Sequence, residues 1–290
     1  MNVFTKLSLG SALSVIVAPV TAFAAKPEDW QMTFQPAATK IMSSMIWFEQ
    51  YTLVLMAAVT IFVAGLLVYV CWRFRASANP VASRTTHNSV LEVAWTTVPV
   101  LILVAIAFPS FQLLNAQYTP PREAELTIKA TGNQWYWGYE YQVKDASITF
   151  DANLLNDEER PTYGKEDKVA YPRLLAVDNE LVVPVDTVVR VLVTAADVLH
   201  AFAMPAFGIK SDAVPGRLNE TWFLAEKEGL YYGQCSEICG KDHSNMPIAI
   251  RVVSKEAYAT WATAAVTDVT LANKTLMAAL KAGNAVAAAD

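Results

Sequence analysis

The sequence predicts an all-β sandwich or barrel preceded by a two-helix transmembrane hairpin. Three observations carry this. Two long apolar segments in the first 120 residues are almost free of charge. Beyond them come short β-like runs separated by turn residues. The chain as a whole is 54% hydrophobic, high for a purely soluble protein and in keeping with a membrane segment.

Residues 1–24 read as a secretory signal. Lys6 gives a positive start, Leu7 to Val20 is apolar, and Ala22-Phe23-Ala24 is an A-x-A cleavage site. Gly10, Ser11, Ser14 and Pro19 break the apolar run, which favours cleavage over anchoring. The mature chain then begins near Ala25. Residues 25–118 hold an N-terminal segment and the hairpin.

The first helix is predicted at about 46–72. Glu49 is its only charge, and the 22 residues from Tyr51 to Trp72 carry none. At about 1.5 Å per residue they reach ~33 Å, enough for a hydrocarbon layer of ~30 Å. The second helix is predicted at about 90–114, with Pro99 inside it, where a membrane helix tolerates proline. Arg73, Arg75 and Arg84 lie in the linker, and no Lys or Arg follows until Arg122. The positive-inside rule puts that linker in the cytoplasm and both outer ends on the far side, in agreement with the export signal. Glu92 is the unusual residue of the second helix. An ionisable group inside a membrane helix is costly and marks function, whereas near the helix end it reaches headgroup water. His87 in the linker reads as a solvated loop histidine.

Residues 119–254 form the β domain. β-like runs lie at 126–130, 135–141, 147–150, 173–177, 188–194, 221–225, 230–233 and 248–253. Asn153 to Pro172 is polar, charged and turn-rich, and reads as a surface insertion. Residues 255–290 are Ala-rich and read as one helix packed on the sandwich followed by a frayed tail. The net charge of −5 argues against nucleic acid and for a basic partner. Three cysteines make no disulfide framework, and Cys71 stands alone at the end of an apolar run.

The chemistry concentrates in Gln234-Cys-Ser-Glu-Ile-Cys-Gly-Lys-Asp-His-Ser-Asn-Met246-Pro247. Cys235, Cys239, His243 and Met246 make a soft donor set, which selects copper. A mononuclear copper loop needs one Cys, one His, a weak axial Met and a distant His, for which His200 is the candidate. This loop has one thiolate more, able to bridge a second ion. A Cys235–Cys239 disulfide is an alternative, but it leaves His243 and Met246 unexplained. So is a tetrahedral zinc site, for which methionine is a poor ligand.

The loop resembles the dinuclear copper (CuA) loop of cytochrome c oxidase subunit II. It matches C-x-E-x-C-x3-H-x2-M at every position. The resemblance implies a cupredoxin-like domain binding two copper ions. Cys235 and Cys239 would bridge them, His200 and His243 would bind one each, Met246 would be a weak ligand, and Glu237 would offer its carbonyl. The Glu237 carboxylate would reach a magnesium ion shared with subunit I. Gly132-Asn-Gln-Trp-Tyr-Trp-Gly-Tyr-Glu-Tyr141 resembles the aromatic motif of the family. There the first tryptophan lies exposed above the copper and receives the electron, a role that falls on Trp135, with Tyr136 beside it. Trp137, Tyr139 and Tyr141 alternate and read as core.

Between Trp135 and His200 twelve Asp or Glu face six Lys or Arg, an excess that fits a docking field for basic cytochrome c. Glu140, Asp178 and Asp197 match acidic positions that face cytochrome c in the family. Glu92-x-x-Trp95-Thr-x-x-Pro99 resembles the start of the second family helix, which gives Glu92 the mouth of a proton pathway. Ala203 to Arg217 would pack against subunit I, with Asp212 and Arg217 at that interface. The chain reads as a bacterial inner-membrane subunit with its C-terminal domain periplasmic. Its partners would be subunit I, subunit III, cytochrome c and lipid.

Two other readings use the same loop. A membrane-anchored copper chaperone needs no aromatic motif. The copper domain of another terminal reductase, such as nitrous oxide reductase, fits poorly with the hairpin and with Glu237. A quinol oxidase subunit II lacks the copper ligands that are present here.

Overall fold

The computed structural model describes residues 23–143 and 146–287. The predicted signal segment falls outside them except for Phe23 and Ala24, which form β1 (Phe23–Ala25) with Ala25.

Helix α1 (Lys40–Arg73) begins six residues before its predicted start. Thr39 caps it, accepting the Met42 N–H at 3.0 Å, and its hydroxyl donates to the Phe207 carbonyl at 2.8 Å. Ile41 and Met42 are buried, so this first turn is packed against protein. Gly208 has φ +71°, and a Cβ there would sit 2.8 Å from the Met45 sulfur. Glycine allows the helix to approach this closely. Helix α2 (Ser89–Tyr118) runs through Pro99 and Pro109 and ends four residues beyond its predicted end. Its start is capped from both sides: Asn88 accepts from Val90 and Leu91, and Glu92, one residue past the usual capping-box position, accepts from the Asn88 N–H at 3.2 Å. The Tyr51 hydroxyl ties the helices together by donating to the Ala105 carbonyl at 3.3 Å. Their outward side chains are apolar and exposed, a surface that only lipid or another apolar partner covers well.

The β domain follows as β2 (Leu126–Asn133), β3 (Tyr136–Val143), β4 (Ala146–Ala152), the single turn α3 (Arg160–Tyr163), β5 (Leu181–Pro184) and β6 (Val188–Ala195). Then come β7 (His200–Met204), β8 (Ile209–Ala213), β9 (Asn219–Leu224), β10 (Gly229–Cys235), β11 (Pro247–Val253), α4 (Lys255–Ala265) and α5 (Val269–Ala287). One sheet has the order β4-β3-β2-β6-β9 and the other β5-β11-β10-β7-β8. Side chains alternate along β2, with Leu126, Ile128 and Ala130 inside, the signature of a strand with one wet face. Strand β11, between β5 and β10, is buried at all seven positions. β1 pairs in parallel with the first half of β10, and β7 takes the far end of that strand at Gln234 and Cys235.

Three expectations are corrected. Residues 173–177 are a turn with a single bridge from Val177 to Leu154, and Leu174 has φ +65°. The run is apolar because it caps the core: Leu175, Ala176 and Val177 are all buried. The insertion is not wholly a surface loop. Lys165 and Arg160 are buried; Lys165 lies 3.0 Å from Glu180, whose other oxygen pairs with Arg251. Arg160 donates to the Tyr171 carbonyl at 2.6 Å. The tail does not fray after one helix. α5 returns over the insertion, where Met277 meets the Tyr171 hydroxyl at 3.5 Å and Lys281 donates to the Gly164 carbonyl at 3.1 Å.

Burial alone would raise the Glu180 carboxyl, but the charges of Arg251 and Lys165 outweigh it and hold it down to about 2. A carboxylate depressed on folding stabilises fully above its unfolded value near 4.5, and that contribution is lost as pH falls towards about 2. Glu180→Gln strips two buried cations of their partner and is expected to cost roughly 3–5 kcal/mol. Chemical unfolding of the detergent-solubilised chain at neutral pH measures this. A loss near zero would show that the cations are solvated in solution.

Candidate metal centre

Three strand ends converge on the predicted ligands. Cys235 ends β10, and Met246 directly precedes β11. His200 opens β7, just beyond the turn that follows β6. Pairing of Cys235 with Phe202 and of Gln234 with Pro247 fixes the three ends in register.

All six predicted copper donors meet there. The two cysteine sulfurs are 3.9 Å apart. His200 Nδ1 is 3.8 Å from the Cys235 sulfur, and His243 Nδ1 is 3.4 Å from that of Cys239. The Met246 sulfur lies 3.5 Å from Cys239, and the Glu237 carbonyl lies 3.4 Å from Cys235. His200, Cys235 and Cys239 alone bring three donor atoms within 4.8 Å of one another. His200, both cysteines and Met246 are buried, and His243 is half-buried. Burial, then the nearby Cys235, push the Cys239 thiol up to about 12. Cys239 therefore gives up its proton only to a strongly competing cation, and the sulfur and imidazole donors around it suit copper.

The imidazole of His200 is aimed from behind. Its Nε2–H donates to Asp197 at 2.9 Å, which leaves the Nδ1 lone pair facing the sulfurs. Asp197 also accepts the Gln134 N–H at 2.7 Å and the Val198 N–H at 2.6 Å. Burial works against the charge, but these hydrogen bonds hold the Asp197 carboxyl below its ordinary value. Gly132 flanks the ring, and a Cβ there would sit 2.8 Å from His200 Cδ2. Trp137 is fully buried; it donates to the Met246 carbonyl at 3.3 Å and packs edge-on to Phe202. Gly132 and the Asp197–His200 link were missed from sequence. The i,i+3 spacing of Asp197 and His200 was the one available signal.

Trp135 packs against the copper loop. Its indole N–H donates to the Cys239 carbonyl at 3.2 Å, and Gln134 donates to the same oxygen at 2.8 Å. The ring is half-buried, less open than expected. Tyr136 opens β3 beside it and is half-buried too. Glu140 sits 3.6 Å from Lys129 on the outer face of the first sheet. Asp178 ties the insertion to the sheet by accepting from Asn153 at 2.8 and 3.1 Å. Glu237 turns its side chain to solvent. Glu92 is remote from all of these, at the far end of a 30-residue helix about 45 Å long.

Residues 126–253 match the family described as cytochrome c oxidase subunit II, periplasmic domain, and residues 27–113 match its transmembrane domain. The chain belongs to the cytochrome c oxidase subunit II family. A probable cytochrome c oxidase subunit 2 of Rickettsia felis is 47% identical over 258 residues, 89% of this chain and 79% of the relative. Cytochrome c oxidase subunit 2 of Cereibacter sphaeroides is 47% identical over 251 residues, 81% of this chain and 80% of its own. The crystal structure of the periplasmic domain of subunit II from Bradyrhizobium japonicum is 55% identical, covers 51% of this chain and 98% of its own, and has a TM-score of 0.45.

Membership in the subunit II family identifies the β domain as its copper-binding domain, with a cupredoxin-like fold. A subunit II is one part of an enzyme, the haem–copper oxidase complex, and works beside its other subunits. The two apolar helices anchor it in a membrane, with the β domain on the periplasmic side.

Asp197→Asn keeps the shape but weakens the grip on the His200 N–H. It is expected to weaken copper binding about 10- to 100-fold in competition with a chelator. Unchanged affinity would mean that the strand ends alone fix the imidazole.

Proposed function

We propose that this subunit takes single electrons from cytochrome c on the periplasmic face and delivers them to a haem in subunit I. There oxygen is reduced to water and protons are pumped. The observation that carries this reading is the contact between Trp135 and the Cys239 carbonyl. It joins a half-exposed ring to the backbone of a metal-binding residue through one hydrogen bond. Cys235, Cys239, His200, His243, Met246 and the Glu237 carbonyl would hold the two copper ions, which would supply a one-electron carrier when bound. The chain's own part is to keep the donors rigid. Strand register fixes the sulfurs, Asp197 fixes His200, and Trp137 fixes the Met246 backbone.

The rest of the complex fits around this centre. A cleft of about 760 Å³, lined by Met45, Gln117, Lys210, Asp212 and Arg217, opens between the helix ends and β8 and offers a seat for subunit I. The exposed Glu237 carboxylate is free to meet a magnesium ion at that boundary, since oxygen donors suit magnesium. Glu92 serves as the mouth of the proton pathway, its carboxylate held by the Asn88 N–H at the cytoplasmic helix end. Glu140, Asp178 and Asp197 contribute to the acidic docking face, and subunit III completes the assembly in the bacterial inner membrane. Residues 1–24 act as the cleaved signal, whose removal takes Phe23 and Ala24 from β1 and leaves Ala25 beside β10, and the arginine-bearing linker faces the cytoplasm. The domain borders follow as 25–118, 119–254 and 255–290.

A paired experiment separates electron uptake from proton delivery. Trp135→Phe should slow copper reduction by cytochrome c about ten-fold or more with the copper content intact. Glu92→Ala should leave that reduction fast and slow steady-state turnover. Normal uptake in the first variant, or normal turnover in the second, would remove the corresponding role. Turnover with cytochrome c should also weaken as ionic strength rises through about 0.1 M, where the Debye length is about 10 Å. Salt-independent turnover would remove the acidic docking face.

A further inference from the structure

The loop that holds the metal ligands also covers the electron-accepting tryptophan. Gly240 has φ +126°, and a Cβ there would sit 2.9 Å from Trp135 Cζ2 and 3.2 Å from Gln134 Nε2. Glycine therefore lets the loop lie directly on the indole. The next residue, Lys241, folds back over the ring with its ammonium 5.6 Å from the centroid. That side chain is 79% exposed, so the charge stands in water on the solvent side of Trp135. Asp242 lies 3.6 Å from the same ammonium. Asp242 offsets the ammonium at long range, so the cation acts chiefly on whatever touches the indole.

We propose that Lys241 is a specificity-determining residue of the donor site. Its ammonium selects a redox protein that offers an oxygen acceptor, a carbonyl or carboxylate, beside its electron-delivering edge. This inference rests on Trp135 as the point of electron uptake. Two carboxylates flank this spot: Asp197 accepts the N–H of Gln134, the residue before Trp135, and Asp242 lies beside the lysine. A complementary donor therefore carries a basic rim and an acceptor at its centre. The contact is a docking contact: the lysine leaves the copper ligands and the hydrogen bond from Trp135 to Cys239 untouched.

Long-range electrostatics and local recognition predict opposite signs here. Removing one cation from an acidic face speeds association of a basic donor if the lysine is merely solvated. It weakens the complex if the ammonium meets an acceptor. The experiment uses the assembled oxidase with Lys241→Met, Lys241→Arg and Trp135→Phe. The probes are mitochondrial-type cytochrome c and hexaammineruthenium(II), a small reductant with no protein footprint.

For Lys241→Met, kcat/KM for cytochrome c should fall about three-fold or more, with kcat nearly unchanged. The Kd for oxidised cytochrome c, measured by calorimetry, should rise by the same factor. Hexaammineruthenium(II), a dication, should reduce the copper at the native rate or faster, and Lys241→Arg should restore cytochrome c binding. Unchanged or tighter cytochrome c binding in Lys241→Met would overturn the proposal. So would an equal slowing with both reductants, which would mark the lysine as a positioning residue for Trp135. Normal uptake in Trp135→Phe would overturn the underlying reading as well. Slow uptake there with unaltered binding in Lys241→Met would overturn the Lys241 proposal alone.

Discussion

Two cysteine sulfurs held 3.9 Å apart in a protein interior make a demanding arrangement. Burial and the neighbouring sulfur drive the Cys239 thiol up, so its thiolate would be stable there only beside a cation. The rest of the domain follows from placing that pair. The sulfurs sit at the end of β10 and in the loop just beyond it, where β7 and β11 hold the backbone from both sides. His200 enters from β7 and is aimed by a carboxylate that is itself anchored by two backbone N–H groups. A glycine on β2 clears the space for its ring. Donors fixed in this way need little rearrangement when the charge of a bound metal changes.

The same rigidity connects the centre to its surroundings. Gln134 and Trp135 both donate to the Cys239 carbonyl, so the aromatic motif and the metal loop form one unit although they lie about 100 residues apart in the chain. On the membrane side, Thr39 and Gly208 lock the first turn of α1 to the domain. The domain therefore stands on its hairpin through packed contacts as well as through the covalent link. The buried Lys165–Glu180–Arg251 group does the corresponding work for the insertion and for α5 above it.

Much of this was legible in the sequence because the relevant signals are local. Uncharged helical runs show themselves within twenty residues, and five of the six donors lie within twelve. The alternating strands β2 and β6 were legible for the same reason. What was not legible depends on distant partners. Lys165 and Arg160 look like surface charges until Glu180, Arg251 and the Tyr171 carbonyl are placed beside them. Residues 173–177 carry the apolar content of a strand but are used to cap the core. β7 is nearly all buried and β8 is weakly patterned, so neither shows a clean period of two. Asp197 reads in sequence as a docking acid, and beyond its i,i+3 spacing only its hydrogen bond marks it as the support of His200.

The central claim is that Cys235 and Cys239 bridge two copper ions in one centre. An electron paramagnetic resonance spectrum of the copper-loaded full chain in detergent, with copper quantitation, tests it most directly. The account predicts two coppers per chain sharing one unpaired electron, with a seven-line hyperfine pattern. One copper per chain with a four-line pattern would contradict it and would remove the bridging role from both cysteines.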